Sequence, residues 1–190
     1  MITGAKLVDS EEFRKAAKLY LVGGRGIAKL LMAILKINKI NKEYDKIKNL
    51  RGVEFLSSLL SKLEIKYEIN PEELKRIPKE GPFIIVSNHP YGGIDGIILL
   101  KMVQEIRPDY KMMANFLLRR IAPLKESIIP VDPFEGESQA SGSLAGIKYA
   151  IKHLSDGNSL GIFPAGEVST YYNTESPGVA DKQWSESILK

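Results

Sequence analysis

A histidine and an aspartate six positions apart are the first candidates for chemistry in this chain. His89 lies just past Pro82–Ser87, an apolar run rich in β-branched residues that predicts a buried strand. Asp95 lies at the start of a predicted helix, and Gly92 and Gly93 allow a sharp turn between the two side chains. A carboxylate that orients an imidazole makes a general base for an O–H or N–H nucleophile. The alternative is structural, with Asp95 as a helix cap and His89 as a hydrogen-bonded loop residue.

A second segment favours the chemical interpretation. Residues Ser159–Ser169 form another apolar run that enters a turn containing Pro164 and Gly166, with Glu167 near its tip. Two strands that end in polar, glycine-rich turns are typical of an open α/β sheet. Such sheets bind ligands beyond the carboxyl ends of their strands.

These blocks carry a resemblance to a known family. Asn88-His89 with Asp95, together with Phe163–Glu167, resembles the glycerolipid (lysophospholipid) acyltransferase superfamily, whose blocks are Asn-His-x4-Asp and Phe-Pro-Glu-Gly-Thr-Arg. The first block has one extra residue here and is similar to the branch called putative hemolysins. That branch includes the O-acyltransferases of ornithine and glycine lipids. Ile129–Phe134 falls where the middle block of the superfamily belongs.

The resemblance implies an enzyme that moves an acyl group from acyl-ACP or acyl-CoA to a hydroxyl of a lysolipid. His89 would then be the base and Asp95 its orienting carboxylate. The residues implied in substrate binding surround the two turns: Asn88, Gly92, Gly93, Phe163, Pro164, Gly166, Glu167 and Ser169. The expected location is peripheral, at the cytoplasmic face of the inner membrane, in membrane lipid synthesis.

Departures from the family pattern bear on the acceptor. Pro133 and Val168 stand where the glycerol-phosphate enzymes place two phosphate-binding arginines. Glu167 lies two positions after the family glutamate, which aligns with Ala165. A phosphate dianion favours bidentate guanidinium partners, so we expect a lyso-aminolipid acceptor rather than a phosphorylated one. Three cations remain as possible substitutes for the missing arginines: Lys111, Arg119 and Arg120.

Other functions share parts of this pattern. A lysophospholipid (1-acylglycerol-phosphate) acyltransferase would use the same His89 and Asp95. A hydrolase would use His89 to activate water and would release free fatty acid. A hemolysin-like membrane-binding protein would need no catalysis and only a basic amphipathic region.

Composition sets broad limits. The chain has 190 residues, a formal net charge of +4 and no cysteine. Without cysteine it has no disulfide, thiol nucleophile or zinc-finger ligand set, and we expect neither a metal nor a bound cofactor. The positive charge suits an anionic membrane surface or nucleic acid, but no nucleic-acid-binding motif is present. His153, the second histidine, lies near a predicted helix end and is given no catalytic role.

The first part of the chain is predicted to be helical. Residues 1–63 form an N-terminal helical region in this interpretation, with a possible membrane-interface hairpin at 10–37, and residues 64–190 form the acyltransferase domain. Interrupting lysines and arginines argue against a spanning helix. The alternative is that these helices pack on the domain itself. A longer amphipathic helix is predicted over Lys42–Leu63, and a half-exposed edge strand over Ile65–Ile69.

The alternation of elements predicts the fold class. A largely parallel central sheet with helices on both faces is expected, because strands and helices alternate from residue 82 onward. The remaining predicted elements are strands at Tyr110–Ala114 and Ile128–Val131, a short helix at Phe116–Ile121 and a helix at Ser138–Leu154 with several small residues. The resemblance also implies that the C-terminal part of the family fold is missing from this chain.

Overall fold

The computed structural model describes residues 37–131, 140–170 and 179–184, with only the backbone described for 37, 38 and 140–143. The chain divides into two compact units, Met1–Leu50 and Arg51–Lys190. In the first unit, helix α1 spans Ile37–Ile47. The predicted hairpin at 10–37 lies outside the described residues except for residue 37. The division predicted at residue 63 stays a prediction.

The second unit alternates helices and strands. Its helices are α2 (Gly52–Lys62), the single turn α3 (Pro71–Leu74), α4 (Gly93–Gln104) and α5 (Ala140–Ser155), and its strands are β1 (Phe83–Val86), β2 (Lys111–Asn115), β3 (Ile128–Val131) and β4 (Ser159–Ile162). Two short 3₁₀ helices, Phe116–Arg120 and Ala122–Leu124, lie between β2 and β3.

The four described strands form one parallel sheet in the order β1-β4-β2-β3. Since all strands run in the same direction, their carboxyl ends lie along one edge, here called the carboxyl edge, and their starts lie along the amino edge. β4 is central and brings Phe83 of β1 opposite Ser159 and Lys111 of β2 opposite Leu160. The loops that follow β1, β4 and β2 are therefore neighbours.

Helices cover both faces of the sheet. Side chains alternate along a strand, so Leu160 and Ile162 share one face of β4, where they pack with Ala150 of α5. On the other face, a Cβ built on Gly96 of α4 would lie 3.8 Å from the ring of Phe163. The predicted parallel sheet with helices on both faces is confirmed.

Helix α5 approaches the sheet closely. A Cβ added to Gly146 would lie 2.3 Å from the carbonyl oxygen of Pro130, so only glycine fits at this point. Gly146 and Ala150 are buried, whereas Ala145 is exposed. Gly146 and Ala150 are therefore the small residues that allow the predicted close packing, whereas Ala145 faces solvent.

The predicted single helix Lys42–Leu63 is wrong. Helix α1 ends at Ile47 and α2 begins at Gly52, which has a φ of 51°, a left-handed value that favours glycine. Arg51 before it has an extended backbone. The apolar spacing continues across this break, so periodicity alone does not reveal it.

The predicted strand Ile65–Ile69 is also wrong, because this segment pairs with no strand. Its side chains do alternate, with Ile65, Tyr67 and Ile69 half-buried and the residues between them exposed. An extended connection lying along the domain shows the same alternation as an edge strand. The pattern therefore predicted the exposure correctly and the hydrogen bonding incorrectly.

Strand β1 is less buried than predicted. Ile84 is 49% and Val86 45% exposed, because β1 is an outer strand of the described sheet. The sequence predicted that β1 and β4 are both buried. Only β4 fits this prediction, since all four of its residues are buried.

A polar cluster fixes the amino edge. The buried guanidinium of Arg107 binds the Asp109 carboxylate at 2.8 and 2.9 Å and the carbonyl oxygens of Pro78, Gly81 and Gly157. His153 Nε2 lies 3.1 Å from the carbonyl oxygens of both Asp109 and Ser159, so it donates to them. These contacts give the second histidine a structural position, far from His89 along the strands.

Candidate active site

His89 lies in the loop that joins β1 to α4, at the carboxyl edge. Helix α4 begins at Gly93, and Gly92 before it has a φ of 63°, which a side chain would strain. The loop therefore reverses direction within a few residues and brings the first turn of α4 back toward His89.

The side chains of His89 and Asp95 lie within hydrogen-bonding distance of each other. His89 Nδ1 lies 3.2 Å from Asp95 Oδ2, and each side chain is 17% exposed. The same oxygen accepts the Tyr91 N–H at 2.8 Å, which fixes the carboxylate. Because a carboxylate only accepts, Nδ1 is the donor of this contact, and in the neutral imidazole the lone pair is then on Nε2. Nε2 has no hydrogen-bond partner in the described part of the chain, so the imidazole can accept a proton.

The turn after β4 supports the imidazole ring. Phe163 stacks on His89 with ring centroids 3.9 Å apart and an interplanar angle of 18°. Pro164 and Ala165 are buried, and the Gly166 N–H donates to the Phe163 carbonyl at 3.0 Å. Gly166 has a φ of 71°, so it supplies the left-handed residue of this turn. The two sequence blocks therefore meet at one ring–ring contact.

The predicted polar residues of the second block differ in their surroundings. The Ser169 N–H donates to the His89 carbonyl at 3.0 Å, and its hydroxyl donates to Asp181. Glu167 is exposed and lies 3.6 Å from the ammonium of Lys182. Ser169 thus joins the two loops, while Glu167 lies at the surface beside a lysine.

Asp181 is a carboxylate of the site that the sequence did not reveal. Its Oδ1 accepts the His89 N–H at 3.3 Å and the Ser169 hydroxyl, and its Oδ2 accepts the Trp184 indole N–H at 3.0 Å. It lies 92 positions after His89, in no motif, beside Ala180, which pairs with Thr170. No spacing or periodicity could have indicated this contact.

The hydrogen bonds to Asp181 favour its charged form. Desolvation opposes the charge, but the donors from Ser169, Trp184 and His89 outweigh it and lower the pKa of Asp181 below the usual 3.8. The carboxylate is therefore ionised at neutral pH. It holds the backbone of His89, whereas Asp95 holds the ring.

The remaining predicted site residues fall into three groups. Asn88 is exposed beside His89, and Arg119 and Arg120 are exposed in the 3₁₀ helix that follows β2 at the carboxyl edge. Lys111 starts β2 at the amino edge, where its ammonium lies 3.3 Å from the Tyr149 hydroxyl, so it does not face this site. Val168 is 47% exposed, and Pro133 lies outside the described residues.

A cavity of about 510 Å³ lies at the opposite, amino edge. Its walls include Gln104, Asp109, Tyr110, Ser127 and His153. These side chains belong largely to the structural hydrogen-bond network of that edge. Parallel α/β sheets bind ligands at the carboxyl edge, so we place the candidate site at His89 and not in this cavity.

Neither a metal-binding cluster nor a membrane-spanning helix is present in the described ranges. Residues 37–131, 140–170 and 179–184 contain no group of three or more His, Cys, Asp or Glu side chains placed to hold a metal ion. Within the same ranges, no helix has the length and apolar character needed to cross a bilayer.

Comparison with known proteins gives the family. A profile of the family described as Acyltransferase matches residues 18–190. The chain belongs to this Acyltransferase family. The membership predicted from the blocks around His89 and Phe163 is therefore confirmed, and the His89–Asp95 pair lies within the matched region. No solved structure matches the chain.

Two relatives of this chain have names that specify a lipid. The lyso-glycine lipid O-acyltransferase of Phocaeicola vulgatus is 28% identical over 186 residues, which cover 96% of this chain and 63% of that protein. The lyso-glycine lipid O-acyltransferase of Bacteroides thetaiotaomicron is 26% identical over 186 residues, covering 96% of this chain and 65% of that protein. The chain thus spans less than two thirds of the length of these relatives. Both relatives fall in the aminolipid branch that the sequence resembled.

Proposed function

We propose that this protein is an O-acyltransferase that transfers a fatty acyl group from a thioester donor to a hydroxyl of a lysolipid. The observation that carries the proposal is the His89–Asp95 pair, 3.2 Å apart at the carboxyl edge in a member of the Acyltransferase family. A carboxylate-oriented imidazole with an available Nε2 is what deprotonation of a hydroxyl requires.

The proposed reaction needs one base and no covalent enzyme intermediate. His89 Nε2 takes the proton from the acceptor hydroxyl while its oxygen attacks the thioester carbonyl carbon. The tetrahedral intermediate then collapses, the C–S bond breaks, and the imidazolium returns the proton to the leaving thiolate. Asp95 stabilises the imidazolium between the two proton transfers, and the stacked ring of Phe163 fixes the orientation of the imidazole.

The oxyanion of the intermediate needs N–H donors. The Gly93 and Ile94 N–H groups lie in the first turn of α4 and have no acceptor among the described residues. The Gly166 N–H in the other turn is already bonded to Phe163. We therefore assign oxyanion stabilisation to the start of α4, where the helix dipole also favours negative charge.

The proposed acceptor is a lyso-aminolipid of the glycine- or ornithine-lipid type. Val168 stands where a phosphate-binding arginine is expected, and it is exposed near Gly92, with 3.4 Å between its Cγ2 and a Cβ built on that glycine. The names of the two relatives support the same class. Asn88 and Glu167 are the exposed polar groups near His89 that we assign to acceptor orientation.

The donor and the place of action follow from the chemistry of the substrates. Acyl-ACP and acyl-CoA are cytoplasmic thioesters, and a lysolipid resides in a membrane. We therefore propose a peripheral enzyme at the cytoplasmic face of the inner membrane, with no bound cofactor.

The test is lipid mass spectrometry with the full chain and defined substrates. His89→Ala should lower transfer about 10²–10⁴-fold, since this is the usual contribution of general base catalysis. Asp95→Asn should lower it severely as well, because an amide cannot stabilise the imidazolium. Ser87→Ala is the matched control, since its hydroxyl only donates to the neighbouring Asn88 carbonyl in the same loop.

The outcomes separate the competing functions. Free fatty acid released without lysolipid, and no acylated product with it, would indicate a hydrolase. Vesicle lysis that His89→Ala leaves intact, without any acyl transfer, would indicate a hemolysin-like protein. His89→Ala retaining more than about a tenth of wild-type transfer would exclude His89 as the base.

A further inference from the structure

The carboxyl edge of the sheet, where His89 lies, exposes several large apolar side chains. Tyr91 is 74%, Val168 47%, Leu117 45% and Phe116 44% exposed. A single exposed apolar residue is ordinary, but these four lie in three loops at one edge. Tyr91 follows β1, Val168 follows β4, and Phe116 and Leu117 follow β2.

The sheet order brings these loops together. β4 lies between β1 and β2, and adjacent strands are about 4.8 Å apart. The loops after β1 and β4 touch, since the Ser169 N–H donates to the His89 carbonyl at 3.0 Å. The 3₁₀ helix after β2 is fixed at its start, where Asn115 Oδ1 accepts the Leu117 N–H at 2.9 Å. The apolar side chains therefore extend along one edge from folded loops.

Positive charge accompanies the apolar residues. Arg119 and Arg120 directly follow Leu118 in the 3₁₀ helix, and both are exposed. The sequence from Tyr110 to Leu124 contains no aspartate or glutamate. Exposed aromatic and aliphatic residues beside arginines are typical of surfaces that enter the interface of an anionic bilayer.

We propose that these six residues, here called the edge face (Tyr91, Phe116, Leu117, Arg119, Arg120 and Val168), contact an anionic lipid surface. The proposal rests on the proposed function, because an enzyme that acylates a lysolipid must reach a hydroxyl at the lipid headgroups. The edge face and His89 lie at the same edge of the sheet, so docking would bring the base to the depth of the lipid headgroups. The contact is separate from the hairpin predicted at 10–37.

The test is co-sedimentation of the full chain with vesicles of phosphatidylglycerol and phosphatidylcholine. Phe116→Ser with Leu117→Ser should weaken partition about tenfold, because two half-exposed apolar side chains no longer enter the interface. Arg119→Gln with Arg120→Gln should weaken it about thirtyfold at low salt, at roughly 1 kcal/mol for each arginine. The arginine effect should vanish on pure phosphatidylcholine and shrink at high salt.

Ile151→Ser is the matched control. Ile151 is 62% exposed, more than Phe116 or Leu117, but it lies near the end of α5. Helix α5 connects the parallel strands β3 and β4 and runs back along the sheet, so its end lies at the amino edge. A general loss of surface hydrophobicity would affect this variant equally, whereas docking through the edge face leaves its binding unchanged.

Other outcomes would overturn the proposal. Wild-type binding by both double variants would show that another segment, such as 10–37, carries the contact. Altered self-association in sedimentation velocity, with unchanged vesicle binding, would assign the edge face to a protein contact. Vesicle binding is measured without acyl transfer, so an inactive wild-type protein that still shows the predicted losses would count against the proposed function alone. Circular dichroism of each variant confirms that it is folded.

Discussion

The side chains of three residues hold His89, each through a different part of the residue. Asp95 binds the ring nitrogen, Phe163 stacks on the ring, and Asp181 accepts the backbone N–H. The first two come from sequence blocks that could be recognised. The third comes from a residue with no motif, and it also binds Ser169, so it joins the loops that follow β1 and β4. We infer that Asp181 is a positioning residue for the candidate base.

Removing the Asp181 carboxylate tests this position. Asp181→Ala leaves the N–H of His89, the hydroxyl of Ser169 and the indole of Trp184 without their acceptor. We expect the free energy of unfolding at pH 7 to fall by about 1–3 kcal/mol, and transfer to fall more than the folded fraction does. Urea unfolding and initial rates at a temperature where both proteins are folded measure the two effects.

The pH dependence gives a second measurement for the same residue. Because folding lowers the pKa of Asp181, its contribution is present above the unfolded carboxyl pKa of about 3.9 and is lost as pH falls through the lower folded value. The stability difference between wild type and Asp181→Asn should therefore disappear in strong acid. Gln183→Ala, an exposed neighbour, is the control. Equal unfolding free energies for Asp181→Ala and Gln183→Ala at pH 7 would contradict the positioning role.

At the scale of the elements, the contact between β2 and β4 allows no extra atom. A Cβ built on Gly161 would lie 1.9 Å from the Tyr110 hydroxyl oxygen and 3.0 Å from Met112 Cγ. Tyr110 is fully buried, and its hydroxyl has no hydrogen-bond partner among the described residues. The close fit keeps β4 central, and β4 carries Phe163 to His89.

Gly161→Ala should therefore destabilise the protein through overpacking. We expect a loss of about 1–3 kcal/mol in the free energy of unfolding, because backbone and ring must both move. Adding Tyr110→Phe should recover part of the loss, since it removes the nearest atom. A double-mutant cycle by urea unfolding measures the coupling, and strict additivity would show that Tyr110 is not the obstacle.

Tyr110 also predicts a loss of stability in alkali. Burial raises the pKa of Tyr110, because the phenolate has no compensating partner. The neutral phenol contributes fully below the unfolded pKa of about 10, and stability then falls as pH rises toward the raised folded value. Between these two pKa values, the free energy of unfolding should fall by about 1.4 kcal/mol per pH unit. Tyr110→Phe should remove this slope, and identical alkaline curves for the two proteins would exclude it.

The sequence predicted the sheet and the meeting of its two motif loops. The apolar runs that end at Ser87 and Ile162 gave the strands, and parallel topology then required their loops to be neighbours. The break before Gly52 was missed because a left-handed residue leaves apolar spacing unchanged. Asp181 was missed because its contacts depend on how the chain returns after β4, which no local pattern encodes.

At the scale of the molecule, the parallel sheet separates two polar regions. The amino edge contains the structural network of Arg107, Asp109 and His153, whose hydrogen bonds are made within the protein. The carboxyl edge contains the candidate base, the first turn of α4 and the edge face. The described cations at this edge include those of the 3₁₀ helix after β2 and Lys182, which lies 3.6 Å from Glu167.

This distribution of charge predicts acceptor choice. Val168 replaces one expected arginine, and Lys111 lies at the other edge, so a phosphorylated acceptor finds no guanidinium pair at the turn after β4. Each missing charge-assisted hydrogen bond, about 1.5–3 kcal/mol, should lower the use of lysophosphatidate about ten- to hundredfold. The absence of these arginines should not lower the use of a lyso-glycine or lyso-ornithine lipid.

A competition assay of the full chain measures this preference, with lyso-glycine lipid and lysophosphatidate present together and one acyl donor. The lyso-aminolipid should be acylated in clear preference. Val168→Arg should shift the ratio toward lysophosphatidate, because it restores a guanidinium close to Gly92. Equal use of both acceptors by the wild type would contradict the prediction. If Lys182→Ala or Arg119→Gln then removed only the lysophosphatidate product, that cation would be the one that binds phosphate, and His89 and Asp95 would keep their proposed roles in ordinary phospholipid acylation.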